Sequence, residues 1–430
     1  MQLVSSGPQD IYLTGNPEIT FFKVVYRRHT NFSIECIEQI IDGYISSDES
    51  TTTTTISRHG DLITNMHLDV KFPNYTTGIT NGTYINWTNN TGHAYVKSVE
   101  LTIGGKTIDT HYGHWMDIWN ELSDHDKNEK ILINKHSKKS EYLQNNRTIT
   151  TSGVKTNTLP GLQVYIPLKF YFNRNPGLSL PLIALQYNEI KINLVTRALN
   201  KLINTNGTEG TIGVIPSPSC KLWVDYIYLD VDERKKFSQQ THEYLIEQLQ
   251  YYKYEMNSKI NLNYKHPVKE IIWVVQNKTV SKESHTLGTL DPVKNIQGTL
   301  ENNNDYFNYS GGGSISELTE YINGEVSYEG FGKVSIMLNG HQRFVERNAS
   351  YFRTIQPYNA GHNVPEKHIY SYSFAIKPEE HQPSGTCNFS RISESYMNFT
   401  TIQEGDIHIY AINYNILKIT SGIGGLSYAN

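Results

Sequence analysis

A chain of 430 residues with 38 Lys plus Arg against 42 Asp plus Glu carries a net charge of −4. That balance excludes the global basic field that holds nucleic acid, and the length calls for two or three domains rather than one core. Thirty Tyr, abundant Thr and Asn and little Ala favour strands joined by polar turns, and Tyr adds apolar area that a 37% hydrophobic count hides.

The N-terminus, MQLVSSGPQD, has neither a basic n-region nor an apolar h-region, so no signal peptide is expected. No apolar run approaches the ~20 residues that span a bilayer. Cys36, Cys220 and Cys387 are too few and too far apart for a disulfide framework and fit a reducing compartment.

In chain order, residues 1–20 read as an arm punctuated by Gly7-Pro8 and Gly15-Asn16-Pro17, with a short strand expected at Ile11–Leu13. FFKVVYRRH, 21–29, reads as a strand with a basic tip. The Thr run at 51–55 leads into a strand through Ile56, since Thr is a strand former. In 62–72, Met66, Leu68, Val70 and Phe72 alternate as in a half-buried strand. Residues 73–93 are rich in Asn, Thr and Gly and read as a long exposed loop. Val96–Ile103 is a strand that Gly104-Gly105 turns into a helical piece, where Trp115, Ile118, Trp119 and Leu122 recur at helical spacing. Residues 124–160 read as a polar insertion. Val164–Phe172, an Asn175-Pro176-Gly177 turn, the segment 180–194 and a Gly, Pro and Ser loop at 200–219 follow.

The stretch 221–250 is the hinge of the sequence. Leu222, Val224, Tyr226 and Tyr228 lie on one side of an extended chain and Trp223, Ile227 and Leu229 on the other, which suits a strand buried on both faces or at an interface. Asp232 and Glu233 then sit where acids favour a helix start, and Arg234–Lys236 where bases favour its end.

The second half repeats the order of the first. Val268–Val275 is a strand, 284–314 a polar loop ending in three glycines, and Val334–Leu338 a strand turned by Asn339-Gly340, as Gly104-Gly105 turns its counterpart. An aromatic segment follows each turn, then a strand with a Pro-Gly-type turn. Each half closes on a long Tyr-bearing strand, 222–230 and 407–419. This order reads as two copies of one β-domain, the first with longer loops. Two sheets of short strands with long end loops make a sandwich of the jelly-roll type. The division expected is an arm at 1–20, a first roll at 21–232, a linker at 233–240 and a second roll at 241–430.

Five segments go further: 13–35 (LTGNPEITFFKVVYRRHTNFSIE), 175–192 (NPGLSLPLIALQYNEIKI), 222–250, 382–392 (QPSGTCNFSRI) and 413–430 (NYNILKITSGIGGLSYAN). Together and in this order they strongly resemble the major capsid protein of large nucleocytoplasmic DNA viruses. The loops 73–93, 124–160 and 284–314 lie outside the resemblance. It implies an all-β double jelly roll, two tandem eight-stranded rolls with short helices in loops. It also implies a homotrimer, a near-hexagonal capsomer of six rolls that tiles an icosahedral shell. The expected partners are neighbouring capsomers and minor capsid and penton proteins, with an internal membrane touched only indirectly and no direct nucleic acid. The expected location is the outer shell of the virion, after assembly in the infected host cytoplasm.

No reactive centre stands out. His111 and His114 give H-x-x-H without a third ligand. There is no G-x-S-x-G, HExxH or C-x-x-C. Gly422–Gly425 lacks the Lys of a phosphate loop and reads as a flexible or close-packed end. Asp230 and Asp232 are accounted for by the helix start. No catalytic, metal or cofactor residue is therefore expected, and the chain reads as no enzyme. The alternative is a glycan-binding or glycan-hydrolysing tandem jelly roll, for which Glu379, Glu380 and Glu394 are the acids to test. Twelve N-x-S/T sequons occur, and their cluster at Asn74, Asn81, Asn86 and Asn89 in the expected exposed loop makes these the candidate glycosylation sites.

Overall fold

The computed structural model describes residues 7–24, 26–77, 85–126, 128–135, 149–151, 154–205, 215–276, 306–309, 329–400, 402 and 404–428. Eight strands carry the first half: β1 (Phe32–Gln39), β2 (Ser50–Thr55), β3 (Leu62–Phe72), β4 (Val96–Ile103), β5 (Lys106–Tyr112), β6 (Leu162–Pro167), β7 (Ile190–Thr196) and β8 (Ser219–Leu229). They form two antiparallel sheets, β1-β8-β3-β6 and β2-β7-β4-β5. Eight more carry the second: β9 (His242–Glu255), β10 (Lys259–Asn261), β11 (Pro267–Gln276), β12 (Lys333–Leu338), β13 (His341–Gln342), β14 (Ile369–Ser373), β15 (Ser395–Thr400) and β16 (Asp406–Thr420). Their sheets are β9-β16-β11-β14 and β10-β15-β12-β13. In both halves the first strand pairs with the last and the second with the seventh. That order is a jelly roll, and here it occurs twice.

The strands form where the sequence alternates. Met66, Leu68, Val70 and Phe72 point into the first roll, and Leu162, Val164 and Ile166 of β6 stand opposite Phe72, Val70 and Leu68. Such same-face apolar pairs fix the register, because a one-residue slip would expose the whole row. Tight turns join the matching hairpins. Gly104 and Gly105 have φ of +57° and +79° between β4 and β5, and Asn339 and Gly340 have +51° and +75° between β12 and β13. Two successive left-handed residues match the twist of the strands they join, and Gly and Asn bear that conformation most cheaply.

Several expectations change. Ile11–Thr14 is a helical turn, not a strand. Residues 21–24 and 26–29 form no strand, as among the described residues no strand lies beside them to pair with: Phe21 is 90% and Phe22 97% exposed, and β1 starts only at Phe32. The 73–93 stretch is not one exposed loop. It contains the strands Tyr75–Thr77 and Ile85–Trp87 and the wholly buried helix Thr91–Tyr95, because Trp87, Ala94 and Tyr95 supply apolar anchors that the polar composition masks. The Val164–Phe172 strand stops at Pro167, and Tyr171–Arg174 is a helical turn. The helix expected around Asp232–Lys236 runs further, over Val231–Gln239, with the Asp230 side chain accepting from the Val231 N–H. Of the two readings of the glycine tail, the close-packed end holds and the flexible one does not. Ile423–Leu426 adds a strand to β16, and a Cβ on Gly424 would lie 2.7 Å from Leu185 Cδ2. The loop expected at 284–314 lies outside the described residues except for 306–309.

Gly340 isolates the cost of the turn, since a Cβ there meets nothing within 4 Å. Gly340→Val is expected to destabilise the protein by about 1–2 kcal/mol from backbone strain alone, and Gly340→Asn by less. Thermal unfolding of the two variants checks this; equal effects would refute the turn assignment.

Candidate functional site: the seam and the uncovered faces

The core is divided in an unexpected place. One apolar cluster fills the second roll, with Ile271, Trp273, Val275, Ile407, Ile409 and Ala411 facing it. The other cluster fills the first roll and continues across the junction to Ile272, Val274, Tyr410 and Ile412. Alternate residues of β11 and β16 therefore face different cores, and the inner strands of this sheet are buried on both sides. That is why both strands read as nearly unbroken apolar runs.

On the first-roll side of this seam lies α1 (Gly113–Ser123), which follows β5. Nine of its eleven residues are buried. Trp115 packs on Tyr410 at 5.2 Å and on Trp119 at 5.4 Å between ring centroids. Strand β5 adds polar register marks: Asp109 Oδ1 accepts the Leu249 N–H at 2.9 Å, and Gln248 donates to the Ile108 carbonyl. Tyr306, Phe307 and Tyr309 are buried in the same layer.

The polar face of α1 is buried too, so its charges need partners. The Asp117 carboxylate takes Lys367 Nζ at 2.7 and 2.8 Å, Asn90 Nδ2 at 2.8 Å and the Tyr309 hydroxyl at 3.2 Å. Burial would raise its pKa, but Lys367 and Lys135 outweigh it and hold the carboxyl at about 2. Arg174 reaches from the first roll to Glu247 of β9 at 2.8 Å with its guanidinium 4.6 Å from the Trp119 ring, and Lys269, wholly buried, meets the other Glu247 oxygen at 2.6 Å. His362 lies between Glu270 at 2.9 Å and Glu379 at 2.5 Å, and His125 of the first roll meets Glu379 at 2.8 Å. Burial opposes a charge on His362, but the two carboxylates outweigh it and raise its pKa to about 9. Burial also opposes the charge on Glu379, and its two histidines outweigh that and lower its pKa. Cations and acids thus cross or border the junction in matched sets.

The residues singled out from sequence fall elsewhere. His111 meets Asp109 at 2.8 Å and stacks on Phe170, while His114 meets the Tyr306 carbonyl at 3.0 Å, so the two serve different neighbours. Among the described residues no group of three or more His, Cys, Asp or Glu is placed to hold a metal. The acids considered for glycan chemistry are scattered in role: Glu379 belongs to the seam, Glu380 pairs with Lys377, and Glu394 sits 3.7 Å from Lys259. Of the sequons, Asn74 is exposed and Asn89 half-buried. Asn86 is a correction: it is 5% exposed within Ile85–Trp87, which leaves no room for a sugar. Asn81 lies outside the described residues. Sequence reasoning missed the seam charges, although Lys269-Glu270 inside the apolar run of β11 was a visible signal.

Two tandem jelly rolls locked by a shared sheet, with their polar groups committed to packing, define a class: the double jelly-roll shell protein. The comparisons agree. A family model described as major capsid protein N-terminus matches residues 20–230, and one described as large eukaryotic DNA virus major capsid protein matches 233–425. The major capsid protein of Pyramimonas orientalis virus is 40% identical over the whole of this chain and 99% of its own, and that of Paramecium bursaria Chlorella virus 1 is 37% identical over the same shares. A quasi-atomic model of the PBCV-1 virus capsid superposes with a TM-score of 0.73 at 32% identity, covering 96% of this chain and 100% of that one. The Faustovirus major capsid protein shares the fold, with a TM-score of 0.70 at 13% identity and 97% and 95% coverage. The chain belongs to the family of large eukaryotic DNA virus major capsid proteins, and its role is that of a structural protein of the virion shell.

The His362 cluster predicts a pH dependence. Its folded pKa of about 9 lies above the ordinary 6.5, so its stabilisation is complete below about pH 6.5 and is lost as pH rises through about 9. The advantage of the natural protein over His362→Gln is expected to shrink by an amount on the order of 3 kcal/mol between pH 6.5 and 10. Unfolding measured across that range checks it; a constant difference would refute the charged imidazole.

Proposed function

We propose that this chain trimerises into a near-hexagonal capsomer of six jelly rolls, two from each copy, and that these capsomers tile the shell of a large DNA virus. The observation that carries the reading is the repeated strand order: two rolls of one topology in one chain give a three-fold oligomer six similar lobes. The chain divides into an arm at 1–20, a first roll at 21–232, a joint at 233–240 and a second roll at 241–430. The family-model match from 20 to 230 and from 233 to 425 supports that division.

Its partners are then its own copies, neighbouring capsomers, and the minor capsid and penton proteins of the shell. Assembly takes place in the cytoplasm of the infected host. The protein works through shape and carries out no catalysis. Exposed apolar side chains before β1 favour association: Tyr12, Phe21, Phe22 and Tyr26 are each at least 87% exposed. Four large apolar groups in one stretch form a contact surface for a neighbouring shell component. Among the sequons of the 74–89 cluster, Asn74 is the candidate for a covalent glycan, since it is exposed two residues beyond the end of β3 and lies close to the exposed Thr76.

Sedimentation of the purified protein at micromolar concentration is expected to give three times the 49.2 kDa chain mass. A monomer persisting to high concentration would overturn the reading. Intact mass of virion-derived protein is expected to exceed 49.2 kDa, with the added mass mapped to the peptide bearing Asn74; a bare chain would remove the glycan.

A further inference from the structure

Of the H-x-x-H pair, His114 is the residue roofed by the other roll. It lies in α1 with 7% of its surface exposed, and the segment 306–309 of the second roll lies against it, with Phe307 edge-on at 5.7 Å between ring centroids. Polar contacts pin this roof. His114 Nε2 donates to the Tyr306 carbonyl at 3.0 Å, and Gln276, at the end of β11, donates to the same oxygen at 2.7 Å. The Tyr309 hydroxyl donates to Asp117 at 3.2 Å. A carbonyl can only accept, so the neutral imidazole carries its hydrogen on Nε2, and a second proton goes to Nδ1.

The surroundings oppose a charge on this ring. His408 of β16 faces it across the junction at 5.1 Å, and Arg197, just after β7, stands 4.7 Å from the Tyr306 ring. Lys367 lies 5.2 Å from the Phe307 ring and 5.7 Å from that of Tyr309. Asp117, on the same helix, favours the charge, but its carboxylate is bonded to Lys367, with Lys135 3.7 Å away and itself paired with Glu121. On β9, Tyr251 bonds His408 at 2.8 Å, and burial keeps Tyr309 and Tyr410 neutral. Burial first, then His408 and Arg197, hold the His114 pKa well below its usual value.

We propose that His114 is an acid-sensitive catch: in mild acid its ring takes a proton, the segment 306–309 lifts off α1, and the first-roll side of the junction is uncovered. With the roof lifted, the ring meets water and titrates near the ordinary value of about 6.5. With the roof down it resists the proton. Below about pH 6.5 the open form therefore binds a proton that the closed form does not, and the opening equilibrium rises about tenfold for each pH unit lost. Above that pH the ring is neutral in both forms and the catch stays shut. Asp117 is held at about 2 and His362 at about 9, so neither changes charge between about pH 4.5 and 6.5. His93 and His368 are also lowered by burial, so the response of 306–309 must be compared with and without His114.

Hydrogen exchange of the full-length protein, corrected for the pH dependence of the chemical exchange rate, tests the catch. From pH 6 to pH 5 the amides of 306–309 are expected to lose roughly tenfold in protection, while those of 66–72 in the first-roll core keep theirs. Between pH 7 and 8 neither set is expected to change. In His114→Gln, which keeps a donor for the Tyr306 carbonyl but cannot titrate, the loss at 306–309 is expected to disappear. Constant protection of 306–309 in the natural protein would overturn the proposal, and so would an equal loss at 66–72, which would mark general acid unfolding. An undiminished loss in His114→Gln would assign the response to another group and overturn it as well. The two measurements on the natural protein decide the matter even where the variant fails to fold.

Discussion

Everything in this molecule depends on a sheet that has no outside. Strands β11 and β16 give Trp273, Ile409 and Ala411 to the second-roll core and Ile272, Val274, Tyr410 and Ile412 to the first. A sheet in a sandwich ordinarily pairs one apolar face with one wet face. Here the wet face is replaced by another domain. Burying four large side chains on that second face, at roughly 1.5–3 kcal/mol each, contributes stability that neither roll has alone.

The cost of such a junction falls on polar groups, and their arrangement gives it its precision. Asp117, Glu247, Glu270 and Glu379 lose water there, and Lys367, Lys269, Arg174 and His362 restore their hydrogen bonds. Buried pairs of this kind add little net stability compared with apolar packing, but a shifted register would strand them at several kcal/mol each. The apolar layer thus holds the rolls together, and the charges specify how they sit. For a shell component, a fixed angle between lobes matters more than added stability, because angular error accumulates across a lattice.

Much of the fold was legible because strand periodicity is local. The boundaries of β3 and β4 follow directly from alternation in 62–72 and from the Gly104-Gly105 turn. The repeat was visible through the matched turns, since Gly-Gly and Asn-Gly serve the same left-handed geometry. What failed were segments whose state depends on distant partners. Phe21 and Phe22 look like strand residues, yet among the described residues no strand lies beside them. Residues 73–93 look like a loop, yet Trp87 within them and Tyr95 just after them are anchored against Phe72. The resemblance to capsid proteins foretold the double roll but said nothing of Asp117 or His362, whose roles arise only when two domains meet. Of the two readings of 222–229, burial on both faces is met in full by β11 and β16 instead, while in β8 Leu222, Val224 and Tyr226 are buried and Trp223 and Leu229 on the other face are half-buried.

The shared sheet makes the two rolls one cooperative body. Native-state hydrogen exchange across increasing denaturant tests it most directly. Amides of 269–275 and 407–413 in the second roll are expected to lose protection at the same denaturant concentration as those of 115–122 and 66–72 in the first. Separate openings, with β11 and β16 protected after α1 has exchanged, would contradict it.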